Sequence, residues 1–186
     1  MSADTGSILF PTSLGSCAIA WSSVGVTAVE LPGVDDAATL SRIDRPRGHA
    51  MRGRPGVVPG PIAAAIERIV ALLTGTADDL RSVALDLRGI GAFERRVYEQ
   101  ARLIAPGDTC TYGALASVLG QPGAARAVGG ALGRNPFPIV VPCHRVLAAG
   151  GRVGGFSGAG GVATKLKMLA IEGARVPVLM TPRLFA

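Results

Sequence analysis

The stretch GAARAVGGALGRNPFPIVVPCHRV, residues 123–146, decides how this chain is read. In its first half, AARAVGGAL predicts a helix whose surface is Ala124, Ala125, Ala127, Gly129 and Gly130 with one long side chain, Arg126. Adjacent glycines inside a helix cost about 1 kcal/mol each relative to alanine, so something must compensate. Tight packing within the protein would do so, and so would close approach to an outside surface. In the second half, Pro136, Pro138 and Pro142 exclude an α-helix, and Ile139-Val140-Val141 predicts an extended buried segment that delivers Cys143 in a fixed pose. A cysteine thiol has an unperturbed pKa of about 8.5, so nucleophilic work near neutrality needs a base or a positive field. His144 and Arg145 offer both. Neighbouring side chains on a strand point opposite ways, so Cys143 and His144 meet, directly or through water, only if the chain turns there. Taken alone, such a pair is more often a buried cysteine beside a partly exposed histidine.

Upstream, Phe93, Val97, Ala101 and Ile104 have the four-and-three spacing of a helix packed on a core, over 93–105. Thr111 is placed to cap a second helix from Tyr112 to Leu119, which Gly120 and Pro122 stop, and a third runs from about Gly123 to Leu132. Two short helices joined by a glycine-containing turn make the pattern of a helix-turn-helix, one that ordinary helical hairpins share.

Nearer the N-terminus, ILF, SCAIAW and VTAVEL between Ile8 and Leu31 read as two or three antiparallel strands. Residues 32–60, with Arg42, Arg45, Arg47, Arg52 and Arg54 around His49, read as an exposed loop. Pro61 opens a helix through Ile62, Ile66, Ile69, Val70 and Leu73 that ends at Gly75, and VALDL at 83–87 predicts one more strand. The character changes near Gly89–Ala92, which divides the chain into an α/β part, 1–90, a second part, 91–176, and a C-terminal tail, 177–186.

The formal charge of +6 is unevenly shared. Residues 1–92 carry eight arginines against nine acids, a net of −1; residues 93–186 carry nine arginines and two lysines against four acids, a net of +7. A localised positive surface suits a polyphosphate partner, because each neutralised phosphate releases counterions. Hydrophobic content of 48% with 17% charged residues indicates a globular chain. No apolar run is long enough for a membrane span and no signal peptide is legible, so a cytoplasmic protein is expected. Cys17, Cys110 and Cys143 are odd in number and far apart, which argues against a disulfide framework or a zinc site.

Six segments in fixed order, FERRVY, GDTCTYGALA, GAARAVGGAL, RNPFPIVVPCHRV, GGFSGAGG and KLKMLAIEGA, together resemble the O6-alkylguanine-DNA alkyltransferases from Phe93 to about Val176. The resemblance implies an α+β protein: a small N-terminal sheet-plus-helix, ribonuclease H-like domain, then a mainly α-helical, winged helix-turn-helix-like DNA-binding alkyltransferase domain. It implies that Cys143 takes the alkyl group from O6 of guanine by direct displacement and keeps it as a thioether. His144 would remove the thiol proton through water, and Glu172 would accept from the other imidazole nitrogen. Tyr112 would donate to the leaving guanine, the backbones of Cys143 and Val146 would read its exocyclic amine, Ser157 would donate toward O6, and Asn135 would fix the nucleophile's turn. Arg126 would fill the stack vacated by a flipped base, with Ala125, Ala127 and Gly129 letting the helix enter the minor groove and Arg134 adding to the DNA surface. The implied partner is duplex DNA carrying O6-alkylguanine, bound by a monomer without cofactor or metal; O4-alkylthymine is a second candidate substrate.

Two positions depart from the family pattern. Phe156 replaces a usual tyrosine in the alkyl pocket wall, and Tyr98 replaces a usual tryptophan. The zinc ligands of some members have no counterpart, since Cys17 and His49 do not make a four-ligand set. Three other readings compete. One is a damage-binding or regulatory protein with weak or altered transfer, against which the presence of Cys143 counts. A cysteine hydrolase would need an oxyanion site that nothing in the chain suggests. A transcriptional regulator would use the helix-turn-helix, but this sequence shows no added sensing domain.

Overall fold

The computed structural model describes residues 5–43 and 57–176. The N-terminal β-prone runs form an antiparallel meander of β1 (Gly6–Thr12), β2 (Gly15–Trp21) and β3 (Val26–Glu30), in that spatial order. Gly15 turns the β1–β2 hairpin with a φ of 119°, a conformation that a side chain resists. The middle strand is buried on both faces. Cys17, Ile19 and Trp21 enter the main core, while Ala18 and Ala20 meet Ala28 and Ile43 in a smaller cluster.

That smaller cluster corrects the reading of 32–60 as loop throughout. Asp36–Ile43 form α1, started by Asp35, whose carboxylate accepts from Ala38 N at 2.7 Å, and held to the sheet by Thr39 and Ile43. With only those two of its residues buried, α1 leaves little hydrophobic period to read. The remainder of the arginine-rich segment, residues 44–56, lies outside the described residues, as does the tail from 177. The expected helix α2 (Gly60–Leu73) has proline in its first turn and buries Ile62, Ala65, Ile69, Leu72 and Leu73. The strand expected at 83–87 reduces to one bridge, Leu85 with Val26. Asp86 bends the chain away from the sheet: its carboxylate accepts from Ser22 Oγ at 2.7 Å and from Arg88 Nε at 2.8 Å.

In the second half, α3 (Ala92–Ala101), α4 (Tyr112–Val118) and α5 (Ala125–Gly133) pack on one another through Val97, Tyr98, Leu115, Ala116, Val128 and Ala131. Thr111 caps α4 as expected, accepting from Ala114 N at 3.1 Å. Tyr98 fills its aromatic position edge-on to Phe137, with ring centroids 6.3 Å apart, and donates to Ala131 O. A short parallel ladder joins β4 (Cys110–Thr111) to β5 (Val146–Leu147), and α6 (Gly161–Ile171) closes the described chain. The architecture is α+β, and one apolar core runs through both halves, from Phe10 to Met168. No helix among the described residues is long and apolar enough to cross a membrane.

Candidate active site

The run into the nucleophile is buried but not extended. Val141 N donates to Phe137 O at 2.7 Å, closing a turn in which Ile139 takes a φ of 75°. The expectation of an extended segment fails because Pro136 and Pro138 withhold donors that a ladder needs, while Phe137, Ile139, Val140 and Val141 still bury completely. Left-handed backbone at a β-branched residue costs about 1–3 kcal/mol and persists only where its surroundings enforce it. Asn135 does much of that enforcing: its Nδ2 donates to Val141 O at 2.9 Å and its Oδ1 accepts from Phe137 N at 2.9 Å. From the N-terminal sheet, Val29 N adds a bond to Pro136 O at 2.9 Å.

The chain then bends at Cys143, as the Cys-His pairing requires. Cys143–Arg145 form a single 3-10 turn that opens with Cys143 N donating to Val141 O at 2.8 Å. His144 Nε2 and Glu172 Oε1 are 2.9 Å apart, with both side chains almost fully buried. Glu172 follows the last turn of α6, where the helix dipole disfavours a carboxylate. Arg145 offsets this with a two-pronged contact, Nε to Oε2 at 2.9 Å and Nη2 to Oε1 at 2.7 Å, and spends Nη1 on Ile104 O. Arg145 therefore serves Glu172, and the positive field it was expected to offer Cys143 is committed elsewhere. Burial alone would raise the Glu172 carboxyl, but the bonds from His144 and Arg145 outweigh it and hold the group at about 2. An ionised carboxylate can only accept, so Nε2 carries the imidazole proton and Nδ1 presents a lone pair. Nδ1 is buried and has no protein partner among the described residues. Burial keeps His144 neutral by pushing its pKa down, against the pull of Glu172. The Cys143 thiol is pushed up by burial, which a hydrogen bond from Asn135, the charge of Lys165 and the local backbone N–H groups partly offset.

Cys143 opens onto a cavity of about 320 Å³ lined by Tyr112, Gly129, Leu132, Gly155, Phe156 and Ser157. A second, narrower cavity borders Cys143 as well, between Val29, Leu31, Pro138 and Phe156, and reaches the Glu30–Arg42 ion pair, 3.1 Å long. Gly158 is required beside it, since a Cβ there would meet the Phe156 ring at 2.5 Å and Leu31 at 2.8 Å. Val146 is buried behind the turn and Ser157 is exposed at the rim.

On α5, Arg126 and Ala127 are exposed and Ala125 is half-buried. A Cβ at Gly129 would meet nothing nearer than 3.9 Å, at Tyr112, and one at Gly130 nothing nearer than 3.5 Å, at Arg134. Internal packing therefore does not demand these glycines. Arg134 is exposed and bonds Glu94 at 2.6 Å.

The site also holds residues that the sequence reading passed over. Val29, Glu30 and Leu31 come from the N-terminal half, where no local motif marks them, and Arg42 was legible only as one arginine of an exposed loop. Lys165 is fully buried on α6, within KLKMLAIEGA, and its signal was compositional: only two of the nineteen Lys and Arg residues are lysine.

Residues 92–174 match the family model described as the 6-O-methylguanine DNA methyltransferase DNA-binding domain. A methylated-DNA--protein-cysteine methyltransferase of Mycolicibacterium paratuberculosis is 43% identical over 66% of this chain and 72% of its own length. A DNA base-flipping protein of Thermus thermophilus is 44% identical over 58% of this chain and 71% of its own. Among solved structures, a Mycobacterium tuberculosis methyltransferase in complex with DNA superposes with a TM-score of 0.72 at 32% identity, covering 92% of this chain and 95% of that one. By sequence over most of a relative's length and by fold over nearly all of its own, this chain belongs to the methylated-DNA--protein-cysteine methyltransferase family.

Proposed function

We propose that this protein repairs alkylated DNA by direct reversal, moving the alkyl group of O6-alkylguanine irreversibly onto its own Cys143. The observation that carries the reading is Cys143 lining an open cavity, with His144 next to it in the same turn and bonded through Nε2 to Glu172, in a chain of this family. The Cys143 proton passes through a water to the Nδ1 lone pair of His144, while Glu172 stabilises the imidazolium that forms. The thiolate attacks the carbon on O6; the carbon–oxygen bond breaks with its electron pair moving to guanine, and Tyr112 donates the proton that lets guanine leave neutral. The backbones of Cys143 and Val146 read the exocyclic amine, Ser157 donates toward O6, and Asn135 holds the turn. Since the thioether stays on the protein, each molecule acts once. Phe156 leaves the alkyl pocket wall without a hydroxyl, and O4-alkylthymine is a weaker candidate for the same displacement.

A base inside a duplex is out of reach, so it is flipped into the cavity at a cost of a few kcal/mol. Arg126, with no bond within the described protein, fills the gap, while Ala125, Ala127 and Gly129 let α5 approach the minor groove and Arg134 adds charge. We read α4 and α5 as the helix-turn-helix pair, the loop after β5 as its wing, and the N-terminal sheet and helices as a ribonuclease H-like unit ending near residue 90. The protein acts as a monomer, without cofactor or metal, and a reducing cytoplasm suits its three free cysteines.

The test is stoichiometry. Duplex DNA labelled in the O6-methyl group should pass its label to the protein up to one methyl per chain, and Cys143→Ala should abolish transfer while still binding DNA. Binding without label transfer would instead favour a damage-recognition protein.

A further inference from the structure

Two cavities meet at Cys143, and Phe156 lines both. Under the proposed function the wider one, beside Tyr112 and Gly129, takes the flipped base. In a direct displacement sulfur, carbon and oxygen lie in line, so whatever an alkyl group carries beyond its first carbon leaves that line sideways. A methyl group needs no space there; a longer chain does. The narrower cavity borders the same sulfur, and its volume of about 50 Å³ suits a short chain rather than a second base.

The N-terminal half builds the outer part of this narrower cavity and is fixed against the nucleophile's turn. The bond from Val29 N to Pro136 O, 2.9 Å long, ties β3 to the segment that carries Cys143. Val29 and Leu31 are completely buried beside the cavity. Gly158 has no left-handed backbone to explain it, so its missing side chain is a matter of space: a Cβ would meet Leu31 and the Phe156 ring. At the outer end stands the 3.1 Å ion pair of Glu30 with Arg42 from α1. The Arg42 side chain is 29% exposed and that of Glu30 only 6%, so the carboxylate is the inner member and the guanidinium closes the cavity toward solvent.

We propose that the Glu30–Arg42 pair reads the far end of the alkyl group, selecting O6-substituents that run apolar past Phe156 and Leu31 and end in a hydroxyl. This rests on the reading of Cys143 as the acceptor. The nearby Asn135 amide is already spent on Val141 and Phe137, which leaves the ion pair to meet a polar end. A methyl end pressed against the pair strips water from two charges and returns no bond, whereas a hydroxyl donates to Glu30 and accepts from Arg42. A carboxylate end would gain Arg42 but meet the like charge of Glu30.

Duplex lesions of equal chain length that differ only at the end test this: O6-(2-hydroxyethyl)guanine against O6-propylguanine, and O6-(4-hydroxybutyl)guanine against O6-pentylguanine. The readout is the ratio of subsaturating single-turnover transfer rates within each pair, in which losses common to both lesions cancel. Arg42→Met should lower the ratio of hydroxyl-ended to methyl-ended lesion about tenfold in at least one pair, the worth of one hydrogen bond to a charged group. Arg42→Lys, which keeps a cation, should retain most of the preference. Should Arg42→Met not fold, Glu30→Gln combined with Arg42→Met leaves no unpaired buried charge and should lower the ratio as far. Ratios that these variants leave unchanged in both pairs would overturn the proposal. Binding separates it from the transferase reading, because in Cys143→Ala the same ratios are taken from duplex affinities without any transfer. An affinity ratio that falls when Arg42→Met is added, in a protein that transfers nothing with Cys143 intact, would uphold the subsite and sink the acceptor role. Transfer with every ratio unmoved would sink the subsite alone.

Discussion

Around one cavity, the surface of α5 and the 3-10 turn of Cys143–Arg145 are built on opposite rules. On α5 the long side chain is exposed and bonds to nothing among the described residues, and its glycines have room for a Cβ. In the turn, His144 and Arg145 are each only 1% exposed, and Glu172, Ile104 and the backbone hold them in place. An unbonded surface has conformational freedom to spend on a partner, whereas a fully bonded one is organised before anything binds. Under the proposed function, this contrast assigns DNA engagement and alkyl chemistry to separate residues. Substitutions should therefore divide into those that impair every substrate and those that impair duplex alone.

The largest effect should come from the locked side. Glu172→Gln removes the acceptor that fixes the His144 tautomer and leaves Arg145 buried beside a neutral amide. Single-turnover rates should drop roughly 100-fold to 1,000-fold, equally on duplex O6-methylguanine and free O6-benzylguanine, the span expected when a general base loses its orienting partner. A loss confined to duplex would break the division. Next is Arg126→Ala, which should slow duplex repair by roughly tenfold or more, since part of the few kcal/mol of flipping cost goes uncompensated. Free O6-benzylguanine should react at the wild-type rate, and equal losses on both substrates would refute the finger role.

The smallest effect sharpens the contrast through stability. With its carboxyl at about 2 in the folded chain and an ordinary value of 4.5, Glu172 contributes stability that is complete above about pH 4.5 and is lost as pH falls toward 2. His144 acts in the same direction, because a histidine held neutral by the fold binds its proton more readily once unfolded, below about pH 6.5. The Glu172 share is of the order of 3 kcal/mol. Urea unfolding at pH 5 and pH 3 should show a smaller acid loss for Glu172→Gln than for wild type, and no such difference for Arg126→Ala, whose side chain lies outside the cluster.

Legibility in the sequence followed how each residue is held. Thr111, Gly120 and Gly123 act locally, so the cap of α4 and the turn into α5 could be read directly. The bend at Cys143 was legible because a strand cannot bring Cys143 and His144 together. Periodicity misled where burial came without regular structure: Ile139-Val140-Val141 is as apolar as a buried strand, yet two prolines and the Asn135 bridges fold it into a turn. It was silent at α1, where Thr39 and Ile43 alone face the sheet, and Val83–Leu87 lost its strand to the bonds of Asp86. Within the site, the motif carried Cys143, His144, Glu172, Asn135 and Tyr112 to one place. It could not report that Arg145 turns toward Glu172, or that Val29, Leu31 and the Glu30–Arg42 pair reach the cavity from more than a hundred residues away. Those contacts are set by how the two halves pack, which no local pattern encodes.

The most direct test of the account is a tryptic map of the protein after reaction with O6-methylguanine duplex. Cys17, Cys110 and Cys143 fall in three different tryptic peptides, so the map assigns the methyl group without ambiguity. One methyl is expected on the Asn135–Arg145 peptide, in proportion to the lesion consumed. A methyl on another cysteine, or lesion lost while that peptide stays unmodified, would contradict it.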